Sequence, residues 1–535
     1  MESTSWIKPL LKFPPHAKEG RMAGSELMIG LVGAAGTNLL GICDSLGTAL
    51  TTVGYQTHPI RLSHELHALA EYAHLPKTTD EAEKINAYMD AGDDLRQKTR
   101  SDIMALLGIA AVRVYRRDQV ADGGDEAEDQ PVPRTAYILN SLKRQEEVAL
   151  LQEVYGRSFL LISVFSSHDH RRDFLARRIA KSRGSGVTAA SCRSDAEAII
   201  GRDHIETDVK LGQNVRDTFP LGDVFLDADS HTLNGDVERA VSIVFGHPFH
   251  TPTRAEIGLQ LARSAALRSA DLSRQVGYAA CTADGQVLAV GANEVAKSGG
   301  GFYWPDSSPD QRDFSFADRE QNAEMKVEIL RDLLGRLPKT HLAEGADLSE
   351  LAIEKLASDP ELKVKGSSFM SITEYGRAVH AEMAVITDAA RRGVALQDAV
   401  MYGTTFPCHN CAKNIVAAGV NDVVYIEPYP KSQVERLFTD SISTDRESSG
   451  KVRFLPFVGI APHRFSDFFE MTDRRSGQGR VKKWEDIRNK ALPRIPADPA
   501  TYIPIENDKV NKGLGTALAD ASIQFVASPG EESGS

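Results

Sequence analysis

Cysteine is scarce in this sequence, and so are long apolar runs. The chain has 535 residues and five cysteines, too few and too unevenly spaced for a disulfide framework. The five are Cys43, Cys192, Cys281, Cys408 and Cys411. The start, MESTSWIKPLLKFPPHAKEG, has no apolar stretch of signal-peptide or anchor length. These absences predict a cytoplasmic protein with no membrane partner, in which a close cysteine pair would bind metal.

Excess positive charge and aromatic residues are also lacking. The formal net charge is -12, and aromatic residues make up 7% of the chain. Extended binding to a nucleic acid needs cations along the phosphate backbone, and a single-strand channel also needs aromatic platforms. Local basic clusters can still hold a small polyphosphate or a short RNA. Nucleic acid is therefore disfavoured as the main partner.

The length predicts more than one folded domain, because 535 residues exceed the size at which a single core stops growing. In the first half, glycine-bounded apolar runs predict buried strands that alternate with helices. The predicted strands are 27–32, 55–63, 159–165 and 223–228, and the predicted helices include 39–52 and 171–183. Alternation of this kind predicts a parallel sheet.

A domain boundary is predicted at 245–253, where histidine, proline and threonine cluster. Beyond it we expect a helix over 254–272, strands over 275–283 and 287–294, and further helix and strand pairs up to Tyr425. The segment 297–371 is longer than a connection needs, which predicts a lid or an oligomer contact. The end of the chain is punctuated by proline and predicts an extended arm followed by a disordered tail.

The stretch 377–411 gathers the residue types of a metal site. It contains His380, Glu382, Cys408 and Cys411, with proline directly before the first cysteine. Two cysteines three positions apart at a helix start can face one ion, and the helix dipole favours their thiolate forms. With one imidazole they supply three ligands, which leaves tetrahedral zinc an open position for water. The spacing predicts a catalytic zinc site in which Glu382 transfers a proton.

A competing interpretation needs no metal. Both cysteines would be small buried apolar residues, and His380 a hydrogen-bonded core histidine. That interpretation must treat the glutamate, the proline and the intervening strand as coincidences, so the sequence favours the zinc site.

The pattern His-x-Glu followed by Pro-Cys-x-x-Cys is an established signature of zinc nucleobase deaminases. Residues 254 to about 470 resemble the deoxycytidylate deaminase branch of the cytidine deaminase superfamily, with HAE and PCHNC as zinc motifs and GANEV as a nucleoside loop. Nearly the whole chain resembles the bacterial anti-phage dCTP deaminases. The segments that carry this wider resemblance are SLKRQEEV, RQVG, GGGFYW, TTFPCHNCAKNIVAAGV and YIEPYPKS.

This resemblance implies an α/β protein with an N-terminal P-loop kinase-like parallel sheet domain and a C-terminal cytidine deaminase-like α/β/α sandwich. The implied organisation is a leader at 1–24, a P-loop nucleotide kinase-like regulatory domain at 25–248, a zinc-dependent deaminase domain at 249–475, and a C-terminal arm and disordered tail at 476–535.

The resemblance also implies roles for individual residues. His380, Cys408 and Cys411 would bind Zn²⁺, and Glu382 would be the catalytic proton shuttle. The implied substrate-binding residues are Asn293, Arg274, Arg268, Tyr429 and Lys431. Asn293 would hold the sugar hydroxyl, although an asparagine after a strand can equally cap backbone. The three cations would bind phosphates or stay solvated, and Tyr429 would close over the nucleoside or merely pack.

The N-terminal loop GLVGAAGTNL follows a predicted strand and opens a helix, where glycine-rich backbone can hold phosphate. It departs from the P-loop formula, because Asn38 and Leu39 stand where glycine and lysine belong. Gly33, Gly36 and Thr37 are candidates for nucleotide binding, and a turn kept only for helix packing is the alternative. The basic helix at 171–183 matches the placement of a kinase lid or forms a solvated face.

The implied function is zinc-dependent hydrolysis of deoxycytidine nucleotides, dCTP and also dCMP, which would deplete the dCTP pool in anti-phage defence. The implied partners are further copies of the chain and, left open, a regulatory nucleotide or small RNA at the N-terminal domain.

Three rival functions stay open. They are a housekeeping dCMP deaminase that supplies dUMP, a nucleic-acid cytosine deaminase, and a non-catalytic nucleotide sensor. The large N-terminal half argues against the first, the acidic composition against the second, and the intact Glu382 against the third.

Overall fold

The chain folds as two compact units. The computed structural model describes residues 25–119, 127–205, 214–337, 349–358, 364, 367, 369–428, 432–471, 474–476 and 478–526. The first unit contains the residues up to Thr251 and those from Val458 on, and the second runs from Pro252 to Phe457. The junction at 251–252 lies inside the stretch 245–253 that the sequence marks as a boundary.

The first unit begins with strands and helices in alternation. Its strands are β1 (Leu27–Gly33), β2 (Gln56–Arg61), β3 (Thr135–Leu142), β4 (Leu160–Phe165) and β5 (Val224–Asp227). Its helices are α1 (Leu39–Thr52), α2 (Leu62–Glu65), α3 (Glu81–Lys98), α4 (Ile103–Asp118), α5 (Gln145–Tyr155), α6 (His168–Arg183), α7 (Arg193–Ile205), α8 (Val215–Thr218) and α9 (Leu233–Val244). In the part of the chain that the structure describes, no helix combines the length and apolarity needed to cross a membrane.

The five strands form a parallel sheet in the order β2-β3-β1-β4-β5. Leu27, Ile29 and Leu31 of β1 belong to an apolar cluster that includes residues of α1 and α9. Met28 and Val32 belong to a second cluster with α4 and α5. Helices thus cover both faces, which accounts for the nearly continuous apolar strands. The predicted α/β architecture with a parallel sheet is confirmed, although β3 is not among the predicted strands.

The second unit is built on a mixed sheet. Its strands are β6 (Gly277–Cys281), β7 (Val287–Ala292), β8 (Glu294–Val295), β9 (Ala378–Val379), β10 (Val400–Thr405), β11 (Asp422–Glu427), β12 (Ile442–Ser443) and β13 (Val452–Pro456). Its helices are α10 (Arg254–Ala266), α11 (Asp313–Phe316), α12 (Gln321–Arg336), α13 (Glu350–Ser358), α14 (Ala381–Arg392), α15 (His409–Ala417) and α16 (Val434–Leu437). The sheet order is β12-β13-β11-β10-β6-β7, and β8 and β9 form a separate antiparallel pair.

Helices lie on both faces of this second sheet. Tyr278 and Met401 belong to the apolar cluster that also contains residues of α14 and α15. On the opposite face, a Cβ at Gly258 of α10 would lie 2.1 Å from Tyr402 Cδ2. A layer of helices, a sheet and a second layer of helices is the arrangement that the family resemblance implies for this part of the chain.

The C-terminal residues return to the first unit. They form β14 (Gly459–Ile460), α17 (Phe465–Phe469), α18 (Trp484–Ile487), α19 (Pro499–Asp508) and α20 (Gly515–Asp520), with a π-helical turn at Lys509–Leu514. Strand β14 pairs antiparallel with β5 and becomes the sixth strand of the first sheet. The predicted deaminase range 249–475 therefore extends beyond the second unit at its C-terminal end.

The prediction of an extended arm from residue 476 is wrong for the described part. The prediction rested on the prolines of this segment. Pro499, however, lies at the first position of α19, where its missing N–H removes no helical hydrogen bond. The Asp498 carboxylate caps this helix by accepting the N–H of Ala500 at 3.1 Å. Tyr502, Leu514 and Leu518 are buried in the apolar cluster of the first unit. The predicted leader at 1–24 and the last part of the tail, 527–535, lie outside the described residues.

A buried ionic network joins this C-terminal segment to the first unit. Arg116 of α4 is fully buried between two carboxylates, Glu26 at 2.8 Å and Glu506 of α19. The phenol of Tyr155 donates to Glu506 at 2.6 Å, and that of Tyr502 donates to Glu26 at 2.6 Å. Every charge in the network has a partner, as burial of ionised groups requires. The segment is therefore part of the folded unit.

Replacing Glu506 by alanine is expected to lower the free energy of unfolding of the first unit by about 3 kcal/mol, because it breaks a buried pair and leaves the Tyr155 hydroxyl without its acceptor. Urea unfolding of the full chain, followed by circular dichroism, measures this. The matched control is Lys512→Ala, which removes the exposed pair of Lys512 with Asp508 and should leave stability nearly unchanged. Equal effects of the two changes would contradict a stabilising network.

Candidate functional site

Two helix N-termini converge in the second unit. His380 directly precedes α14, and Cys408 directly precedes α15. The backbone carbonyls of His380 and Cys408 accept the first helical bonds, from Ala384 at 2.8 Å and Ala412 at 2.9 Å. Cys411 lies in the first turn of α15. The positive ends of two helix dipoles therefore favour negative charge at this position.

The three predicted zinc ligands meet at this point. Nδ1 of His380 lies 3.4 Å from Sγ of Cys408 and 3.4 Å from Sγ of Cys411. The three candidate ligand atoms all lie within 4.8 Å of one another. Distances of this size suit three ligands around one tetrahedral ion, since neighbouring ligand atoms of such an ion are separated by somewhat less than twice the bond length of about 2.0–2.3 Å.

The protonation states also fit a metal site. A hydrogen bond from the Cys411 thiol lowers the pKa of Cys408 to about 4, and His380 contributes in the same direction. The hydrogen bond with Cys408 raises the pKa of His380 to about 9, while the Cys408 thiolate raises the pKa of Cys411. These shifts favour protons on His380 and Cys411 and a negative charge on Cys408. Zinc would replace those protons, because it binds thiolates and neutral imidazole.

Glu382 lies one residue inside α14 and is 5% exposed. Burial, reinforced by the negative charge of Cys408, raises the pKa of Glu382 to about 7. A carboxyl group that titrates near neutrality can both accept and return a proton. Glu382 lies beside the ligand group and is not one of its three members, which matches the role of a proton shuttle.

Close packing fixes the position of α14. A Cβ at Gly291 of β7 would lie 2.9 Å from the carbonyl oxygen of Ala381 and 2.8 Å from the backbone nitrogen of Val385. Only glycine leaves room for the first turn of α14, which carries Glu382, to approach the sheet so closely.

Tyr278 of β6 supports the other half of the site, and sequence reasoning missed it. The Tyr278 ring packs over Gly403, where a Cβ would lie 2.1 Å from Cζ, and its hydroxyl donates to the carbonyl of Thr405. Burial, and then the charge of Glu382, raise the pKa of Tyr278 well above its usual range, so the phenol remains a donor. Apolar residues surround Tyr278 in the sequence, so no local pattern distinguishes it from a core residue.

Asn293 directly precedes β8, and His380 directly follows β9. Because Glu294 of β8 pairs with Val379 of β9, Asn293 and His380 lie at the same end of this strand pair. Oδ1 of Asn293 accepts the N–H of Val276 at 2.8 Å, and its Nδ2 donates to the carbonyl of Arg274 at 2.8 Å. This is the backbone-capping role that the sequence left open. One amide hydrogen and one lone pair still remain for a sugar hydroxyl, and that contact stays a prediction.

The predicted helix 254–272 is too long, since α10 ends at Ala266. The residues after it form a loop whose backbone is held by side chains of the GANEV segment. Besides the two bonds of Asn293, the buried Glu294 carboxylate accepts the N–H of Ala270 at 3.1 Å. These polar bonds replace the helical ones, and no helical periodicity reveals them.

The predicted cations have different surroundings. The guanidinium of Arg274 pairs with Glu427, and Glu427 accepts the Thr405 hydroxyl at 3.3 Å, which ties Arg274 to the strand end before the PCHNC loop. Arg268 lies with its guanidinium carbon 4.0 Å from the centre of the Trp304 ring, and its Nη2 is buried without a hydrogen-bond partner among the described residues. Tyr429 and Lys431 lie outside the described residues, and Gly33, Gly36 and Thr37 belong to the first unit.

Residues 252–427 match the family described as the cytidine and deoxycytidylate deaminase zinc-binding region. This part of the chain is a deaminase-family zinc-binding domain. Together with the His380, Cys408 and Cys411 group, the match confirms the prediction of zinc as cofactor.

Curated relatives match shorter stretches of the chain. The deoxycytidylate deaminases of Enterobacteria phages T2 and T4 are each 44% identical over 55 residues, 10% of this chain and 29% and 28% of their own lengths. ComE operon protein 2 of Bacillus subtilis (strain 168) is 33% identical over 91 residues, 15% of this chain and 48% of its own length. The chain thus covers less than half of each relative.

Among solved structures, the apo dCMP deaminase of cyanophage S-TIM5 is 15% identical, with a TM-score of 0.21, over 39% of this chain and 100% of that chain. A diaminohydroxyphosphoribosylaminopyrimidine deaminase/reductase of Thermotoga maritima is 13% identical, with a TM-score of 0.20, over 38% of this chain and 36% of that chain.

Replacing Cys408 by serine is expected to reduce bound zinc to well below one ion per chain and to lower the melting temperature, because a structured ligand group loses a thiolate. Metal content by inductively coupled plasma mass spectrometry and differential scanning fluorimetry measure the two effects. The control is Cys281→Ala in β6, a buried cysteine outside the group, which should keep full zinc content. Full occupancy in the Cys408 variant would remove this residue from the ligand set.

Proposed function

We propose that this chain removes the amino group of deoxycytidine nucleotides, dCTP and dCMP, by hydrolysis of its C–N bond. The products would be deoxyuridine nucleotides and ammonia, formed in the cytoplasm. The observation that carries the proposal is the His380, Cys408 and Cys411 group beside the buried carboxyl of Glu382, within a region of the deaminase family. A site kept only for ligand binding would not require a buried acid that titrates near neutrality.

The reaction adds water to the amidine carbon of cytosine and expels the amino group. Zinc, when bound by the three ligands, supplies the Lewis acidity that makes water nucleophilic at neutral pH. Glu382 accepts a proton from the attacking water and delivers it to the ring nitrogen, and it then transfers the second proton, from the newly attached hydroxyl, to the amino group, which leaves as ammonia. One C–O bond forms and one C–N bond breaks, and Glu382 returns to its starting state.

The substrate would be held by the residues around this centre. Asn293 would contact the sugar hydroxyl, and Arg274, Arg268 and Lys431 would contact the phosphates, with Tyr429 over the nucleoside. Arg268 supports this role through its buried Nη2, which finds no hydrogen-bond partner in the described part of the chain and would therefore benefit from an acceptor. A triphosphate needs several cations, and a monophosphate needs fewer.

The first unit would regulate the deaminase. We propose that the enzyme depletes the dCTP pool on which phage replication depends, that the first unit restrains it in the absence of infection, and that the active form is a homo-oligomer. A small RNA or a nucleotide bound to the first unit would carry the signal. Housekeeping dCMP deamination is the main rival, since the curated phage relatives are named deoxycytidylate deaminases.

Replacing Glu382 by glutamine should lower the turnover number by about 10²- to 10⁴-fold, because the amide cannot shuttle a proton, while the zinc content stays at the wild-type level. Ammonia release and metal analysis on the same preparation measure both quantities. The control is Glu435→Gln, which alters an exposed glutamate of α16 and should leave turnover unchanged. Loss of zinc in the Glu382 variant would instead make this residue a ligand.

Product analysis on dCTP, dCMP, CTP and single-stranded DNA, supplied in parallel to the zinc-loaded protein, tests the substrate class. We expect dCTP and dCMP to be converted and CTP and DNA to remain unchanged. Activity on dCMP alone would favour the housekeeping function, and activity on DNA would favour nucleic-acid editing. Absence of activity on all four would favour either a nucleotide sensor or an enzyme that its first unit still restrains.

A further inference from the structure

A short hairpin follows β8 and contains the segment GGGFYW. The backbone N–H of Tyr303 donates to the carbonyl of Val295 at 3.1 Å, and the N–H of Lys297 donates to the carbonyl of Gly301 at 2.9 Å. All three glycines at 299–301 have positive φ, between +79° and +98°, a conformation that residues with a side chain rarely adopt. The glycines therefore turn the chain sharply, and the three aromatic residues run back beside β8.

The returning half of the hairpin places two rings near Arg268. The guanidinium carbon of Arg268 lies 4.0 Å from the centre of the Trp304 ring and 5.6 Å from the centre of the Phe302 ring. Tyr303 lies between them in the sequence, and its ring faces Lys297, with Nζ 6.0 Å from the ring centre. Alternate side chains of an extended segment point to opposite sides. Phe302 and Trp304 thus share the side that Arg268 occupies.

Local hydrogen bonds hold Trp304 in place. The residue is 50% exposed, so burial in a core does not account for its position. Its N–H donates to Oγ of Ser307, and its carbonyl accepts the N–H of Ser307, both at 2.9 Å. A cation over the face of an indole ring is attracted to that face. The ring therefore restricts the guanidinium of Arg268 to one position.

The Arg268 guanidinium in this position has an unused donor. Its Nη2 is buried and finds no hydrogen-bond partner among the described residues. Both carboxylate oxygens of the neighbouring Glu294 already accept backbone N–H groups, from Ala270 at 3.1 Å and from Val295 at 2.9 Å. A buried donor without an acceptor carries a free-energy penalty, and guanidinium groups bind phosphate oxygens well. The donor suits an anionic group that a ligand brings.

Arg268 lies at the side of the candidate active site. Burial lowers the pKa of Arg268, and the charge of Glu294 opposes this shift, so the two groups are near each other. Glu294 pairs with Val379, which directly precedes the candidate zinc ligand His380. Asn293, the predicted contact of the sugar hydroxyl, directly precedes Glu294. A cation on this flank is in place for a phosphate attached to the sugar.

We propose that Trp304, with Phe302 beside it, is a positioning residue that holds Arg268 for the 5′-phosphate, so that the site selects deoxycytidine nucleotides over unphosphorylated deoxycytidine. The proposal rests on the proposed function, because it takes deoxycytidine nucleotides as the ligands of this site. A phosphate would satisfy the buried Nη2, whereas deoxycytidine would leave it without an acceptor. A site with a buried hydrogen-bonding group discriminates strongly against an analogue that lacks the matching group.

Fluorine NMR of the full-length, zinc-loaded Glu382→Gln protein tests the contact without turnover. The chain has three tryptophans, which 5-fluorotryptophan labels, and Trp304→Phe assigns the resonance of Trp304. We expect dCMP and dCTP to shift this resonance, deoxycytidine to leave it in place, and Arg268→Met to abolish the response to the nucleotides. Equal shifts with deoxycytidine, or no shift with either nucleotide, would overturn the proposal.

Steady-state kinetics of the active protein tests the role of the ring. Trp304→Ala should raise KM for dCMP about three- to tenfold with kcat unchanged, because the ring contacts Arg268 and not the reacting atoms. Trp304→Phe, which keeps an aromatic face, should restore most of the loss. In an Arg268→Met background Trp304→Ala should add nothing, since the ring acts through the guanidinium. KM for deoxycytidine should stay the same in all of these variants.

The matched control is Tyr303→Ala, which changes the same hairpin on its other side and should leave KM for dCMP unchanged. An equal rise in the control, an effect of Trp304→Ala that persists without Arg268, or an unchanged KM would overturn the assignment. Normal turnover of dCMP by the Trp304→Ala protein at unchanged KM would contradict this inference alone. A nucleotide-dependent shift of the Trp304 resonance in a protein that deaminates nothing would support this inference and count against the proposed function.

Discussion

The close contact between the first turn of α14 and strand β7 is the constraint on which the candidate active site depends. It exists because Gly291 has no side chain, and it fixes the helix that begins directly after His380 and carries Glu382. On the neighbouring strands, Tyr278 fills the space over Gly403 and bonds to the strand end that leads to Cys408. Two glycines and one tyrosine thus determine where the ligand group forms, although none of them is a ligand.

Burial then gives the group its chemistry. In water a glutamate carboxyl would be ionised at neutral pH, whereas burial brings the pKa of Glu382 to about 7. The thiolate of Cys408 is favoured by its hydrogen bond with Cys411 and by a helix N-terminus. The same fold that excludes solvent from the acid gathers hydrogen-bond donors around the thiolate.

The first unit uses its charged groups in two ways. Around Arg116 each buried charge meets a partner, and the result is a network that joins the C-terminal helix α19 to the sheet. Around a cavity at the carboxyl ends of β1, β2 and β3, the charged residues that line the wall in the described part of the chain are basic. The first arrangement stabilises the fold, and the second concentrates positive charge at the carboxyl ends of the strands.

Local patterns in the sequence were enough to predict the candidate zinc ligands, the proton-shuttle candidate, and strands β1, β2, β4 and β5 of the first sheet, because apolar periodicity and ligand spacing are properties of neighbouring residues. The helix 39–52 was predicted with its observed bounds, whereas the helix from Arg254 was predicted too long because side chains from a distant strand end it. Only the tertiary structure decided that the C-terminal segment folds back onto the first unit, that Tyr278 supports the site, and that Arg61, Lys143 and Arg178 share one cavity. Those features depend on contacts between residues far apart in the chain, and a local pattern carries no information about which distant surfaces will meet.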